Sequence, residues 1–293
     1  MALYVPAGLE SASGIDNIEY LEKGEHKDGA LKIVLLNLMP DVEQTEGHYM
    51  SVLAASGIDI ELTLMKTATY TTSRCPKEHF DRFYSVLDDI RDNYYDGVIL
   101  NGAPLAYVKF EDVFFKDEFQ EICAWSEAHA TSVLYICWSG FAKLYYDFGI
   151  DWLVSDNFYG IYPNKINAED LILTGLEDGF LTPYSRETST LFKDAQPAFD
   201  AGILTLLVTC PTGPALMRIT GTNHFICLYH LEYDRYRLDF ELRRNRLKDP
   251  SSKLPVNYYP DDDMEKEPPY VWRENAVTFY GNWVRYYAGQ GRV

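Results

Sequence analysis

The chain has 293 residues, and 44 acidic side chains against 26 basic ones give a formal charge of −18. A protein this acidic repels phosphodiester backbones and anionic lipid surfaces, which argues against a general nucleic-acid or membrane partner. With 47% hydrophobic and 15% aromatic residues it has the material for a packed core, which excludes intrinsic disorder.

Residues 1–30 read as an N-terminal extension. Leu31 to Asn37 (LKIVLLN) is a continuous apolar run closed by Met39-Pro40, as in a strand buried on both faces. Glu43 to Ala55 reads as a helix ended by Ser56-Gly57, and Ile58 to Met65 alternates like a strand. Pro76 to Ile90 is predicted helical, with Phe80, Phe83, Val86 and Leu87 on one stripe. Gly97 to Leu100 is a second buried strand, followed by the turn-like NGAPL, Asn101 to Leu105. Phe110 to His129 is a long helix, Ser132 to Ile136 a strand, and Trp138 to Tyr146 a helix that begins directly after Cys137. Ile203 to Thr209 and His224 to Tyr229 are further strands. A charged helix runs from about Asp234 to Lys248, the loop-like Lys248 to Pro269 follows, and an aromatic helix spans Asn275 to Tyr287. Residues 249–293 thus read as a C-terminal segment that packs back on the body of one domain, 1–293.

Strands separated by helices imply right-handed parallel βαβ units. The expected fold is α/β, a three-layer sandwich around a mainly parallel sheet, with ligands bound at the carboxyl ends of the strands.

Five cysteines, widely spaced and without a Cys-x-x-Cys pair, fit neither a disulfide framework nor a zinc ribbon. They point to a reducing, cytoplasmic compartment and to no metal. MALYVPAGLESASG lacks the basic and apolar regions of a signal peptide, and no apolar run approaches the ~20 residues of a membrane-spanning helix.

Cys137 stands between the strand SVLYI and the helix WSGFAKLYY. At a helix N-terminus, free N–H groups and the helix dipole favour the thiolate, and a sharp strand-to-helix turn presents it to substrate. The full G-x-C-x-G elbow is absent, because Tyr135 takes the first glycine position. A buried cysteine packed like alanine would satisfy the same position. Cys123, Cys210 and Cys227 suit that second role, and Cys75 lies in a polar loop.

His230 ends the strand FICLY, and Glu232, two residues on, points to the same side in extended chain. The pair makes a Cys137–His230–Glu232 nucleophile, base and orienting acid conceivable at the strand ends. His26, His79 and His129 lie in charged contexts and look solvated. Backbone N–H groups of Trp138 and of the NGAPL turn at Leu105 are candidate oxyanion donors. The stretch after His230, Arg235 to Lys248, is densely basic. It reads as a solvated helix paired with Asp239 and Glu241, or as the source of one arginine that grips a carboxylate. Ser185-Arg186 forms a second polar loop.

The segments KIVLLNLMP, DGVILNGAPL, LYICWSGFAKLYYDFGI, GFLTPYSR, HLEYD, LPVNYYPDDD and VWRENAVTFYGNW together resemble the homoserine O-acyltransferase (homoserine transsuccinylase) family, in order from about residue 31 to 286. The resemblance implies a class I glutamine-amidotransferase-like fold and ping-pong acyl transfer in methionine biosynthesis. Acetyl-CoA or succinyl-CoA would be the co-substrate, with no tightly bound cofactor, and the protein would be a homodimer. It implies Cys137 as the acyl-thioester cysteine, His230 as general base with Glu232 its partner, and Arg244 and Ser185 as acceptor-binding residues. It also implies Ala106 as the position tied to acyl-donor choice.

Three departures stand out. Asn157 replaces a pocket lysine of the family, His230-Leu231-Glu232 replaces a His-Pro-Glu run, and Asp41-Val42 replaces a basic pair, a change that looks confined to the surface. Serine is one methylene shorter than homoserine, worth only ~1–3 kcal/mol of discrimination, so the Asn157 change keeps serine O-acetylation open. A glutamine amidase or amidotransferase of the same fold and a non-catalytic thiol-bearing binding protein are the readings of other classes.

Overall fold

The computed structural model describes residues 1–290, the side chains of 155–157 excepted. In chain order the strands are β1 (Leu3–Pro6), β2 (Ile18–Leu21), β3 (Leu31–Leu36), β4 (Ile60–Met65), β5 (Tyr84–Ser85), β6 (Tyr95–Leu100), β7 (Ala130–Ile136), β8 (Leu153–Pro163), β9 (Lys165–Ile166), β10 (Leu181–Ser189), β11 (Leu204–Cys210), β12 (Gly213–Ile219) and β13 (His224–Cys227). The helices are α1 (Val42–Ala54), α2 (Lys77–Phe83), α3 (Leu87–Ile90), α4 (Lys116–His129), α5 (Trp138–Phe148), α6 (Phe192–Asp200), α7 (Arg237–Arg246) and α8 (Arg273–Trp283).

The main sheet has the order β2-β1-β4-β3-β6-β7-β13-β12-β11-β9, with β5 paired to β4. Pairing is parallel from β2 through β13, and β12, β11 and β9 continue it antiparallel at one edge. Successive side chains of β3 serve opposite faces. Ile33 and Leu35 share a core with Tyr49 and Leu53 of α1 and Phe279 and Trp283 of α8. Val34 and Leu36 share the other with Phe119 and Ile122 of α4 and Phe141 and Leu144 of α5. Burial on both faces explains why LKIVLL reads as unbroken apolar sequence. Helices on both faces make the expected three layers. Among the described residues no helix is long and apolar enough to cross a membrane.

Several local expectations change. The first thirty residues extend the sheet itself, since β1 pairs with β4 and carries β2 on its outer side. The predicted helix Pro76 to Ile90 is interrupted at Tyr84–Ser85, which pair with Leu64 and Met65. The cause is Glu46, a carboxylate buried within α1. The Tyr84 hydroxyl donates to it at 2.6 Å, His79 Nε2 lies 2.8 Å from the same oxygen, and Ser11 bonds the other. A buried carboxylate needs such partners, and the break in the helix brings two of them to it. His79 and Cys75 are therefore buried, not solvated. Ser185 lies within the ribbon of β8 and β10 rather than in a loop. The ribbon also anchors the C-terminal segment: Val256 donates to Tyr159 O at 2.9 Å and accepts from Ile161 N at 2.8 Å. Gly160 between them has φ +140°, and a Cβ there would stand 2.3 Å from Val256 O.

Candidate active site

β6, β7 and β13 are parallel neighbours at the centre of the sheet, so the residues after each emerge side by side. These residues are Asn101-Gly102, Cys137 and, three positions beyond β13, His230. Cys137 sits at the start of α5 with φ 51° and ψ −114°, outside the regions that ordinary residues favour. Such a backbone costs about 1–3 kcal/mol and must be held by its surroundings. Its N–H donates to Cys227 O at 2.8 Å, and its carbonyl accepts from Phe141 N at 3.0 Å. The side chain is partly exposed, whereas Cys75, Cys123, Cys210 and Cys227 are buried. Burial pushes the Cys75 thiol up to about 11 and raises those of Cys123 and Cys227 further.

His230 is buried, stacked on Tyr233 with ring centroids 4.3 Å apart, and hydrogen-bonded through Nδ1 to Glu232 Oε1 at 2.6 Å. The other Glu232 oxygen accepts from the Tyr280 hydroxyl of α8 at 3.2 Å. The imidazole faces Cys137 across the same cavity. Burial alone would lower the His230 pKa, but the facing Cys137 sulfur and the Glu232 carboxylate push it up to about 10. A direct check is an NMR titration of the His230 ring. The ring is expected to stay protonated at pH 8 and to lose its proton near pH 10. In Cys137→Ala the midpoint is expected to fall, because the facing sulfur that raises it is gone. An unchanged midpoint would show that the sulfur does not face the ring.

Trp138 is the first residue of α5, so its N–H belongs to the helix-start donors without an intrahelical acceptor. Its indole is buried among Phe110, Phe115 and Phe119. Gly102 closes on the same spot, where a Cβ would lie 3.2 Å from both Cys137 Cβ and Trp138 N. The turn is tied down by Tyr49, whose hydroxyl donates to Asn101 Oδ1 at 2.7 Å, and by Ser139, whose Oγ donates to Asn101 O at 2.5 Å. Leu105 does not share this geometry. Its N–H is given to Ala103 O at 2.9 Å, and its side chain packs with the α4–α5 core.

Cys137, Trp138 and His230 open into a cavity of about 270 Å³, whose wall includes Gly102, Ala106, Ser185 and Arg244. The opposite wall is a polar ladder. Ser185 Oγ donates to Glu241 Oε2 at 2.7 Å, and Arg237 Nε donates to Glu241 Oε1 at 2.7 Å. Positions 237, 241 and 244 are spaced i, i+4 and i+7, one stripe of α7. That spacing marks Arg237 and Glu241 as cavity residues, a signal the density of basic residues masks. The solvated pair on this helix is Arg243 with Asp239. Gly102, Arg237 and Glu241 are the site residues that sequence reasoning passed over. The side chain of Asn157 lies outside the described residues.

An imidazole beside a cysteine sulfur, with a carboxylate fixing its far nitrogen, can shuttle a proton to and from a leaving or attacking group. The fold is that of the class I glutamine amidotransferases. The chain aligns with a glutamine amidotransferase from Thermotoga maritima at TM-score 0.56 and 12% identity, covering 89% of this chain and 98% of that one. Another from Methylobacillus flagellatus aligns at TM-score 0.52 and 12% identity, covering 88% and 94%.

Within this fold the sequence is more specific. Residues 10–292 match the homoserine O-succinyltransferase family. A homoserine O-acetyltransferase of Lachnoclostridium phytofermentans is 35% identical over 92% of this chain and 90% of its own. One of Acetivibrio thermocellus is 31% identical over 99% and 97%. The chain belongs to the homoserine O-succinyltransferase family of acyltransferases.

Proposed function

We propose that the protein transfers an acyl group from acyl-CoA to the side-chain hydroxyl of homoserine through a thioester on Cys137. The observation that carries this reading is Cys137 beside the hydrogen-bonded His230–Glu232 pair, all facing one cavity with the Ser185–Glu241–Arg237 ladder. In the first half-reaction the Cys137 thiolate attacks the thioester carbonyl. The oxyanion is met by the Trp138 N–H, and the carbon–sulfur bond to coenzyme A breaks, with the His230 proton going to the departing thiolate. In the second, His230 takes the proton of the acceptor hydroxyl as its oxygen attacks the Cys137 thioester. The ester leaves, and the cysteine sulfur is released as thiolate beside the imidazolium. Glu232 keeps the ring oriented throughout.

A zwitterionic acceptor suits the far wall: Glu241 and Ser185 meet its ammonium, and Arg244 its carboxylate. Ala106 belongs to the acyl side. The relatives named as acetyltransferases favour acetyl-CoA over succinyl-CoA as donor. On this reading the whole chain is one acyltransferase domain, a cytoplasmic homodimer serving methionine biosynthesis, with no tightly bound cofactor. Serine remains the second acceptor, on the ground that Asn157 stands where the resembling family carries lysine.

Intact-mass measurement after mixing with acetyl-CoA or succinyl-CoA tests the proposal. One acyl mass is expected to appear, to be absent in Cys137→Ala, and to be discharged by homoserine or by serine. No adduct from either donor sinks the reading. Glutamine hydrolysis in its place would favour an amidase.

A further inference from the structure

Asp41 is the residue of the resembling family's lost basic pair that looked like a surface change. It follows Met39 and Pro40, which line the cavity, and stands where β3 gives way to α1. Its side chain is only 13% exposed and touches three guanidinium groups. Oδ2 accepts from Arg244 Nη1 at 2.8 Å and from Arg237 Nη1 at 3.3 Å, and Oδ1 accepts from Arg74 Nη1 at 3.2 Å. The change therefore lies against two arginines of the site wall, Arg237 and Arg244.

Two arginines of one helix stripe repel each other when both turn toward a cavity, and a carboxylate between them removes that repulsion. Asp41 occupies only one nitrogen of Arg244, whose side chain remains 31% exposed. Among the described residues no other hydrogen bond to Arg244 is formed, so the remaining edge of its planar fork is open to a carboxylate. Arg237 Nη2 is buried without an acceptor. A ligand carboxylate would give the open edge of Arg244 its acceptor.

We propose that Asp41 is a positioning residue for carboxylate recognition. It orients Arg244, and through Arg237 the whole α7 stripe, so that the wall selects an α-amino-acid acceptor over the corresponding amino alcohol. The proposal rests on the reading above that the acceptor carboxylate meets Arg244.

The test is a ligand-observed NMR titration of the full-length protein with L-homoserine and L-serine, and with their decarboxylated counterparts 3-aminopropan-1-ol and 2-aminoethanol. The wild type is expected to favour the amino acids. Asp41→Asn is expected to lose about tenfold in amino-acid affinity and less than twofold for the amino alcohols. In turnover, the acceptor KM is expected to rise about tenfold while kcat changes much less, the signature of lost binding rather than lost chemistry. Should Asp41→Asn fail to fold, Asp41→Glu keeps the charge but displaces Arg244, and the same selective loss is expected. Equal losses for both ligand classes, or no loss for either, would overturn the proposal. The titration needs no acyl donor. A wild type that binds amino acids but never acylates would thus refute the acyl-transfer reading while leaving the role of Asp41 measurable.

Discussion

The Cys137→Ala protein is expected to lose acyl transfer, with kcat down by about 10⁴-fold or more, because no other group can carry the thioester. His230→Asn is expected to cost about 10³–10⁴-fold, since on the proposed mechanism the ring that protonates departing coenzyme A and takes the acceptor's proton is gone. At ~1.4 kcal/mol per tenfold, each change removes several kcal/mol of barrier lowering. The two losses should not add. A nucleophile without its base and a base without its nucleophile are both idle, so the double variant should be about as slow as the slower single one. Steady-state rates of the three variants decide this. Two large losses that multiply would mean that Cys137 and His230 act in separate steps. Far-ultraviolet circular dichroism separates misfolding from lost chemistry.

Gly102→Ala carries the next largest expectation. The added methyl would stand 3.2 Å from Trp138 N and equally close to Cys137 Cβ. Oxyanion donors work at about 2.7–3.1 Å from the oxygen they stabilise, so the methyl takes up space the oxyanion needs. Loss of one such donor costs about 10²–10³ in kcat, and Gly102→Ala is expected to fall in that range. The contact is tight rather than impossible, so the variant is expected to fold with its melting temperature little changed. Single-turnover acylation of Cys137 is the measurement. An acylation rate within threefold of wild type would show that the oxyanion lies elsewhere.

The parallel core was legible because burial on both faces writes itself as apolar runs: LKIVLL and GVIL could scarcely be anything else. Cys137 was legible as the residue between such a run and a helix, and His230 with Glu232 by their spacing. The ribbon was not. LVSDNFYGIYP mixes polar residues and a glycine into a strand that pairs with β10 outside the main sheet, so neither period nor propensity marks it. The split of the helix after Pro76 was equally hidden, because it answers to Glu46, a partner 38 positions from Tyr84 in sequence. Asp41 looked like a surface residue for the same reason. Its meaning depends on Arg237 and Arg244, some two hundred positions away along the chain. Local composition reveals strands and turns, whereas charge pairs across the fold need coordinates.

The hydrogen bond from Tyr280 to Glu232 ties the site to the order in which the molecule is made. Cys137 leaves the ribosome well before His230, and Glu232 well before the helix that completes its bonding. Trp272 of the same region, donating to Tyr233 O at 2.8 Å, fixes the residue on which the imidazole stacks. The hydrogen bonding of Glu232 and of the Tyr233 carbonyl is therefore complete only once the last segment of the chain has docked.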